Sequence, residues 1–119
     1  MIADDNRDLN DAMRELFVEH GFDVVQAFDG NEAFELYNSE RPDLVFLDYL
    51  MPEMDGVDVL EEIMSVDPDA LVVFITGEGS EDTAVQAMKA GAKDYITKPF
   101  SMQYVVHTAR KFIREHELM

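Results

Sequence analysis

The chain has 119 residues, of which 47% are hydrophobic, and this is enough for one domain with a sizeable core. Its 9 basic and 26 acidic residues give a net charge of −17, which argues against direct binding to nucleic acid. The absence of cysteine excludes disulfides and zinc–thiolate sites. Because no apolar run is long enough to cross a membrane and no signal peptide is recognisable, we expect a cytoplasmic protein without membrane partners.

The first third of the chain predicts two strand–helix pairs. Residues 1–3 form only the stub of a strand, and apolar residues at helical spacing over 9–17 follow, with Gly21 as a typical helix C-cap. The weaker, more alternating run at 22–27 is typical of a strand near a sheet edge. A second apolar stripe over 33–37 predicts the next helix.

The rest of the chain repeats this order three more times. Two near-continuous apolar runs, rich in branched and aromatic residues, are typical of strands buried on both faces of a parallel sheet. The predicted segments are a strand at 43–47, a helix at 57–64, a strand at 70–75, a helix from 80 to 91, a strand at 94–97 and a helix at 102–113. Because strand and helix alternate five times, the sequence predicts an α/β fold with helices on both faces of a parallel sheet.

Five polar residues stand where predicted strands end: Asp4, Asp5, Asp48, Thr76 and Lys98. In open α/β sheets, ligands bind in the crevice outside the carboxyl ends of the strands. These residues therefore converge from distant parts of the sequence. Three carboxylates, one hydroxyl and one ammonium suit a divalent metal and a phosphoryl group.

Five short motifs around these positions, in this order, resemble the receiver domain of two-component response regulators along essentially the whole chain. The motifs lie at 3–6, 47–52, 53–56, 75–77 and 91–100. The resemblance implies one receiver domain over 1–119 with a flavodoxin-like, doubly wound (βα)5 fold. It further implies a five-stranded parallel sheet in the order 2-1-3-4-5.

The chemistry of such a site centres on Asp48 as the nucleophile, which becomes an aspartyl phosphate. Phosphoryl transfer depends mainly on positioning and charge neutralisation, so we expect Asp4, Asp5 and Asp48 to hold Mg2+ or Mn2+. The resemblance adds a metal contact from the backbone carbonyl of Leu50. It also implies that the phosphoryl donor is a sensor histidine kinase or a phosphotransfer protein.

Lys98 and Thr76 are expected to contact the phosphoryl oxygens through an ammonium and a hydroxyl group. The resemblance implies a cis peptide bond before Pro99, and a switch in which Thr76 shifts toward the phosphate while Tyr95 turns inward. The surface formed by the fourth helix, fifth strand and fifth helix then changes shape for a downstream protein or output domain. A homodimer that forms on phosphorylation is a further expectation, and the protein acts as a switch rather than a turnover enzyme.

Three features depart from the family pattern. The first strand at 1–3 is shorter than the resemblance implies, so we expect it to be truncated, with a loss of stability rather than of chemistry. Gly77 stands where alanine is common and is expected to loosen the following loop. Leu50 and Glu78 occupy the positions that flank the path of the hydrolytic water. Because an apolar Leu50 cannot orient that water, we expect a longer-lived phosphoryl group than in a Leu50→Asn variant.

Other interpretations of the sequence remain open. The loop at 76–80 superficially resembles a phosphate-cradling loop of a flavin-binding electron carrier. A phosphohydrolase of the haloacid dehalogenase type would need an acid at Leu50. A receiver domain used only for docking, without phosphorylation, is a third alternative. Asp4 and Asp5 could instead cap the first helix, and the sequence identifies neither the cognate kinase, the stimulus nor the output.

Overall fold

The computed structural model describes residues 1–51, 54–77 and 81–117. It contains a five-stranded parallel sheet in the order β2-β1-β3-β4-β5, which confirms the predicted flavodoxin-like topology. In chain order the elements are β1 (Ile2–Ala3), α1 (Arg7–Glu19), β2 (Gln26–Ala27), α2 (Gly30–Glu40), β3 (Val45–Leu47), α3 (Gly56–Val66), β4 (Val72–Thr76), α4 (Glu81–Lys89), β5 (Asp94–Thr97) and α5 (Met102–Glu117).

The sheet separates two apolar cores, which explains why β3 and β4 read as continuous hydrophobic runs. Side chains alternate between the two faces of a strand, so a strand covered by helices on both sides needs apolar residues at every position. On β3, Val45 and Leu47 belong to one core while Phe46 belongs to the other. The first core includes residues of α2, α3 and α4, and the second includes residues of α1 and α5.

Strand β2 is shorter than the predicted 22–27 because its hydrogen-bonded neighbour is short. Within the described sheet, β2 lies at the edge beside β1, and the register pairs Ile2 with Gln26 and Ala3 with Ala27. An edge strand is only as long as the neighbour that completes its hydrogen bonds. The same two residues of β1 pair with Phe46 and Leu47 on the other side.

The opposite, amino edge of the sheet holds the start of β1. The Met1 amine donates a 2.7 Å hydrogen bond to the carbonyl of Leu44, and burial lowers the pKa of this amine to about 5. A cleft of about 440 Å³ lies beside it, lined by both charged and apolar residues, the latter including Phe17, Phe22 and Phe46. This cleft lies at the end of the sheet away from Asp4 and the other strand-end residues.

The N-terminus of α1 is capped by Asn6, whose side-chain oxygen accepts a 3.1 Å hydrogen bond from the backbone N–H of Leu9. Asp29 and Asp55 cap α2 and α3 in the same way. The alternative that Asp4 or Asp5 occupies the N-cap of α1 is therefore wrong, although Oδ1 of Asp4 accepts a 2.9 Å hydrogen bond from the backbone N–H of Asn6. None of the helices in the described ranges combines the length and the hydropathy needed to cross a membrane.

Candidate functional site at the carboxyl edge of the sheet

Four of the predicted site residues converge at the carboxyl edge because each directly ends or follows a parallel strand. Asp4 follows β1, Asp48 follows β3, Thr76 is the last residue of β4, and Lys98 follows β5. Asp4, Asp48 and Thr76 are only 3%, 7% and 1% exposed. The edge of the sheet thus holds two nearly buried carboxylates, and the exposed Asp5 stands beside them.

Lys98 bridges the two buried carboxylates. Its Nζ lies 3.3 Å from Oδ2 of Asp4 and 3.7 Å from Oδ2 of Asp48. Its backbone N–H donates a 2.9 Å hydrogen bond to the carbonyl of Thr76, and the bond to Pro99 is cis, as the resemblance implied. The side chain of Lys98 therefore leaves the backbone at a fixed place beside β4.

The environment of Asp48 raises the pKa of its carboxyl group to about 6. Burial is the main cause, and the neighbouring Asp4 adds to it, because both disfavour the ionised form. Lys98, a hydrogen bond from the Thr76 side chain and one from the Leu50 backbone act in the opposite direction. Asp48 is thus ionised at neutral pH, and Lys98, the Thr76 side chain and the Leu50 backbone stabilise its negative charge.

The donor set at this edge fits a hard divalent cation. One carboxylate oxygen from each of Asp4, Asp5 and Asp48 can be chosen so that all three lie within 4.8 Å of one another. Three carboxylates against the single ammonium of Lys98 leave two excess negative charges when all are ionised. Mg2+ prefers oxygen ligands and retains water, which the exposed side of Asp5 would admit.

Glycine at position 56 is required by the close approach of α3 to the loop that follows β3. A Cβ atom there would lie 2.5 Å from the Asp48 carbonyl oxygen and 2.5 Å from the Phe74 ring. The Gly56 N–H donates a 2.7 Å hydrogen bond to the carbonyl of Tyr49. This role of Gly56 was not predicted from the sequence. A glycine directly inside a helix start, where it costs helix stability, is the signal that could have indicated it.

Two tyrosines near the site are anchored to α4. Tyr95 of β5 is half-buried, its ring lies 6.3 Å from that of Phe74, and its hydroxyl lies 3.1 Å from Oγ1 of Thr83. On the other side, the Tyr49 ring lies 6.1 Å from Phe74, and the Tyr49 hydroxyl donates a 3.2 Å hydrogen bond to Oε1 of Gln86. Tyr49, Phe74 and Tyr95 therefore form a row of aromatic rings beside α4, which we call the aromatic row.

Two further predicted site positions are Leu50, which the structure describes, and Glu78, which it does not. Leu50 is 52% exposed, and its place beside the path of a hydrolytic water stays a prediction. Its backbone contact in this structure is the hydrogen bond to the Asp48 carboxylate, and the predicted metal contact of its carbonyl stays a prediction. Glu78 lies outside the described residues.

Comparisons with known proteins agree with this geometry. Residues 1–110 match the family described as the response regulator receiver domain. The chemotaxis protein CheY of Thermotoga maritima is 38% identical over 112 residues, which cover 93% of each chain. The receiver domain of the Francisella response regulator 1452 is 29% identical, with a TM-score of 0.91 over 97% of this chain and 95% of that one. One chain of a CheX–CheY–BeF3–Mg2+ complex from Borrelia burgdorferi is 34% identical, with a TM-score of 0.87 over 92% of this chain and 84% of that one.

The raised pKa of Asp48 predicts a pH-dependent effect of Asp48→Asn on stability without divalent metal. The carboxyl titrates near its ordinary value of 3.8 when unfolded and at about 6 when folded. As the pH falls, the folded state therefore binds the Asp48 proton before the unfolded state does. Above the folded pKa, where Asp48 is ionised in both states, its burial lowers the free energy of unfolding of the wild type. We expect Asp48→Asn to be more stable by about 1–2 kcal/mol at about pH 7.5, after allowing for solvent screening, and by much less at about pH 4.5.

Denaturant unfolding in EDTA at both pH values measures this difference. The Met1 amine, whose pKa is also shifted, affects both proteins equally and cancels. Asp23→Asn, the same change at an exposed position near the amino edge, is the control and should show no such trend. A stability difference that is independent of pH would contradict the raised pKa.

Proposed function

The chain belongs to the response regulator receiver domain family, and from this we propose that Asp48 is its phosphoacceptor. Receiver domains are switches of two-component signalling, which fits phosphoryl acceptance by a buried carboxylate at the sheet edge. The observation that supports the assignment most strongly is the position of Asp48 between Lys98 and the Thr76 hydroxyl, with its pKa raised to about 6. No other carboxylate in the described part of the chain is given this set of partners.

The proposed reaction transfers a phosphoryl group from a phosphohistidine to one oxygen of Asp48. The Asp48 oxygen forms a bond to phosphorus, the bond between phosphorus and the imidazole nitrogen breaks, and the imidazole leaves. The Lys98 ammonium, now shared between Asp4 and Asp48, can turn to the new phosphoryl oxygens. Thr76, which already hydrogen-bonds the Asp48 carboxylate, can donate to the same group. Positioning and charge therefore perform most of the catalysis.

Receiver domains bind Mg2+ in an acidic pocket, and this chain has a cluster of three carboxylates, those of Asp4, Asp5 and Asp48. We propose that these carboxylates and the Leu50 carbonyl hold Mg2+ or Mn2+, which neutralises charge on the phosphoryl group when bound. The oxygen-only donor set and its excess negative charge support this assignment. The related Borrelia complex contains Mg2+.

Receiver domains interact with histidine kinases or phosphotransfer proteins and with output domains. We propose that this chain receives its phosphoryl group from such a donor in the cytoplasm and signals through the surface of α4, β5 and α5. Val85, Met88 and Tyr104 leave 45%, 47% and 49% of their side chains exposed on the two helices, which supports a contact role for this surface. A homodimer formed on phosphorylation would use the same helices.

Of the other interpretations, one remains after the family assignment. A flavin carrier or a haloacid dehalogenase-type hydrolase does not fit a chain that matches receiver domains over residues 1–110. A receiver domain that only docks, without phosphorylation, shares the same fold. The intact set of Asp4, Asp48, Thr76 and Lys98 favours phosphorylation, and a direct test separates the two functions.

Incubation with Mg2+ and acetyl phosphate, followed by intact-mass measurement, tests the phosphoacceptor. We expect the wild type to gain the mass of one phosphoryl group and Asp48→Asn to gain none. Asp23→Asn, exposed near the opposite edge, should be phosphorylated like the wild type. Folded wild-type protein that gains no mass would overturn the proposed function and leave the docking module.

The apolar side chain of Leu50 should prolong the life of the phosphoryl group because it cannot orient a hydrolytic water. We expect phosphorylated Leu50→Asn to lose its phosphoryl group several-fold faster than the wild type. The decay is followed by intact mass after removal of acetyl phosphate. Leu50→Met, which keeps the position apolar, should decay at the wild-type rate, and equal rates for Leu50→Asn and the wild type would refute the idea.

Tyr95 should transmit phosphorylation to α4, because its hydroxyl contacts Thr83 and must leave it when the ring turns inward. We expect Tyr95→Ala to accept the phosphoryl group normally but to show smaller changes in the NMR amide shifts of α4 on phosphorylation. Tyr104→Ala, the same change at an exposed site on α5, should keep the wild-type changes in α4. Full-sized changes in Tyr95→Ala would show that α4 responds without Tyr95.

A further inference from the structure

A fully buried asparagine lies beside the carboxylate cluster and is not explained by the chemistry described so far. Asn10 of α1 has 0% exposure and shares the inward face of the helix with Met13 and Phe17. A buried amide is costly unless its polar atoms are hydrogen-bonded. The contacts of Asn10 therefore indicate what the residue contributes at this position.

The amide of Asn10 gathers the backbone at the ends of two strands. Its Nδ2 donates to the carbonyls of Asp4 at 3.1 Å and of Ala27 at 3.0 Å, and the Ile2 carbonyl lies 3.4 Å away. Its Oδ1 accepts a 2.9 Å hydrogen bond from Nε2 of Gln26. The opposite amide orientation would place Oδ1 against these carbonyl oxygens, so the contacts fix the orientation of the group.

Gln26 is held in turn from the helix side. The same Nε2 that donates to Asn10 also donates a 2.8 Å hydrogen bond to Oδ1 of Asp11. The network therefore joins α1 to the ends of both β1 and β2. We call Asn10 and Gln26 the clamp. It lies at the end of β1, directly before Asp5 in the chain.

Strand β1 needs such support because its ladder is short. It is two residues long, and the chain leaves the sheet at Asp4. The Asp4 N–H donates a 3.1 Å hydrogen bond to the Ala27 carbonyl, while the Asp4 carbonyl accepts from Asn10. Both sides of the Asp4 backbone are thus held, and Asn10 also contacts the carbonyl that receives the Asp4 N–H.

We propose that Asn10 is a positioning residue for the metal-binding carboxylates. By fixing the peptide units on both sides of Asp4, it sets the direction in which Asp4 and Asp5 project into the crevice. It thereby sets the affinity of the site for Mg2+. This inference rests on the proposed metal site, and residues that orient metal ligands typically change metal affinity by about 10–100-fold when they are lost.

Asn10→Leu keeps the size of the side chain and removes all the hydrogen bonds that the Asn10 amide makes with Asp4, Ala27 and Gln26. We expect the variant to bind Mg2+ about 10–100-fold more weakly in calorimetric titration. Phosphorylation by acetyl phosphate should return to near the wild-type rate at saturating Mg2+, because Asp48, Thr76 and Lys98 are untouched. A metal-free readout accompanies it: the Asp4 amide, which donates to Ala27, should exchange its hydrogen faster in EDTA.

The control must lose a comparable buried hydrogen bond away from the carboxylates. Thr108 on α5 is 3% exposed, and its Oγ1 donates a 2.8 Å hydrogen bond to the Tyr104 carbonyl of the same helix. Thr108→Val should lower stability while leaving the Mg2+ affinity and the Asp4 amide exchange at wild-type values. Equal weakening of Mg2+ binding in Thr108→Val and Asn10→Leu would reduce the effect to general stability and overturn the inference.

The outcomes separate this inference from the proposed function. Wild type that binds Mg2+ and Asn10→Leu that binds it equally well would refute the role of Asn10 alone. Wild type that binds no Mg2+ would refute the proposed metal site and, with it, this inference. If Asn10→Leu does not fold, Gln26→Leu takes its place, because it removes the donor to Asn10 from a half-buried position. It should weaken Mg2+ binding in the same direction, and wild-type affinity would again refute the inference.

Discussion

The charge balance at the carboxyl edge of the sheet is the constraint on which the site depends. Asp4 and Asp48 are nearly buried beside each other, and Lys98, 94 residues away from Asp4 in the chain, lies between them. This ion pair ties the end of β5 to the end of β1 across the two intervening strands. With Asp5 added, one ammonium cannot balance three carboxylates. The excess negative charge favours binding of a cation at the place where a phosphoryl group would be attached.

Such an arrangement requires a rigid backbone, and several contacts provide it. The Asp4 peptide is held by Ala27 and Asn10, and the loop that follows β3 is held by Gly56, whose missing Cβ lets α3 lie against the Asp48 carbonyl. Among the described residues, no buried side-chain nitrogen or oxygen lacks a hydrogen-bond partner. The excess negative charge of the three carboxylates is thus held in place, and a bound cation would relieve their mutual repulsion.

Much of this was predictable from the sequence because parallel strands place their ends at one edge. The alternation of elements predicts the α/β class, and the motifs predict the strand order and the convergence of Asp48 with Lys98. The length of β2 was not predictable from its own residues, because it depends on its pairing with β1. The roles of Asn10 and Gly56 depend on contacts between distant backbone segments. Asn10 could have been noticed as a polar residue three positions before Met13 on the buried face of α1.

The aromatic row gives the proposed switch a physical route to α4. Tyr49 directly follows Asp48 and is hydrogen-bonded to Gln86, while Tyr95 pairs with Phe74 across the sheet and contacts Thr83. Helix α4 is thus held at two positions one turn apart, by Tyr49 just after β3 and by Tyr95 within β5. Packed rings move between discrete arrangements rather than continuously. A small shift at Asp48 or Thr76 that breaks one of the two tyrosine contacts to α4 would therefore also shift the equilibrium of the other contact. Two anchors of modest strength, rather than one strong one, would let a single phosphoryl group alter the position of the helix.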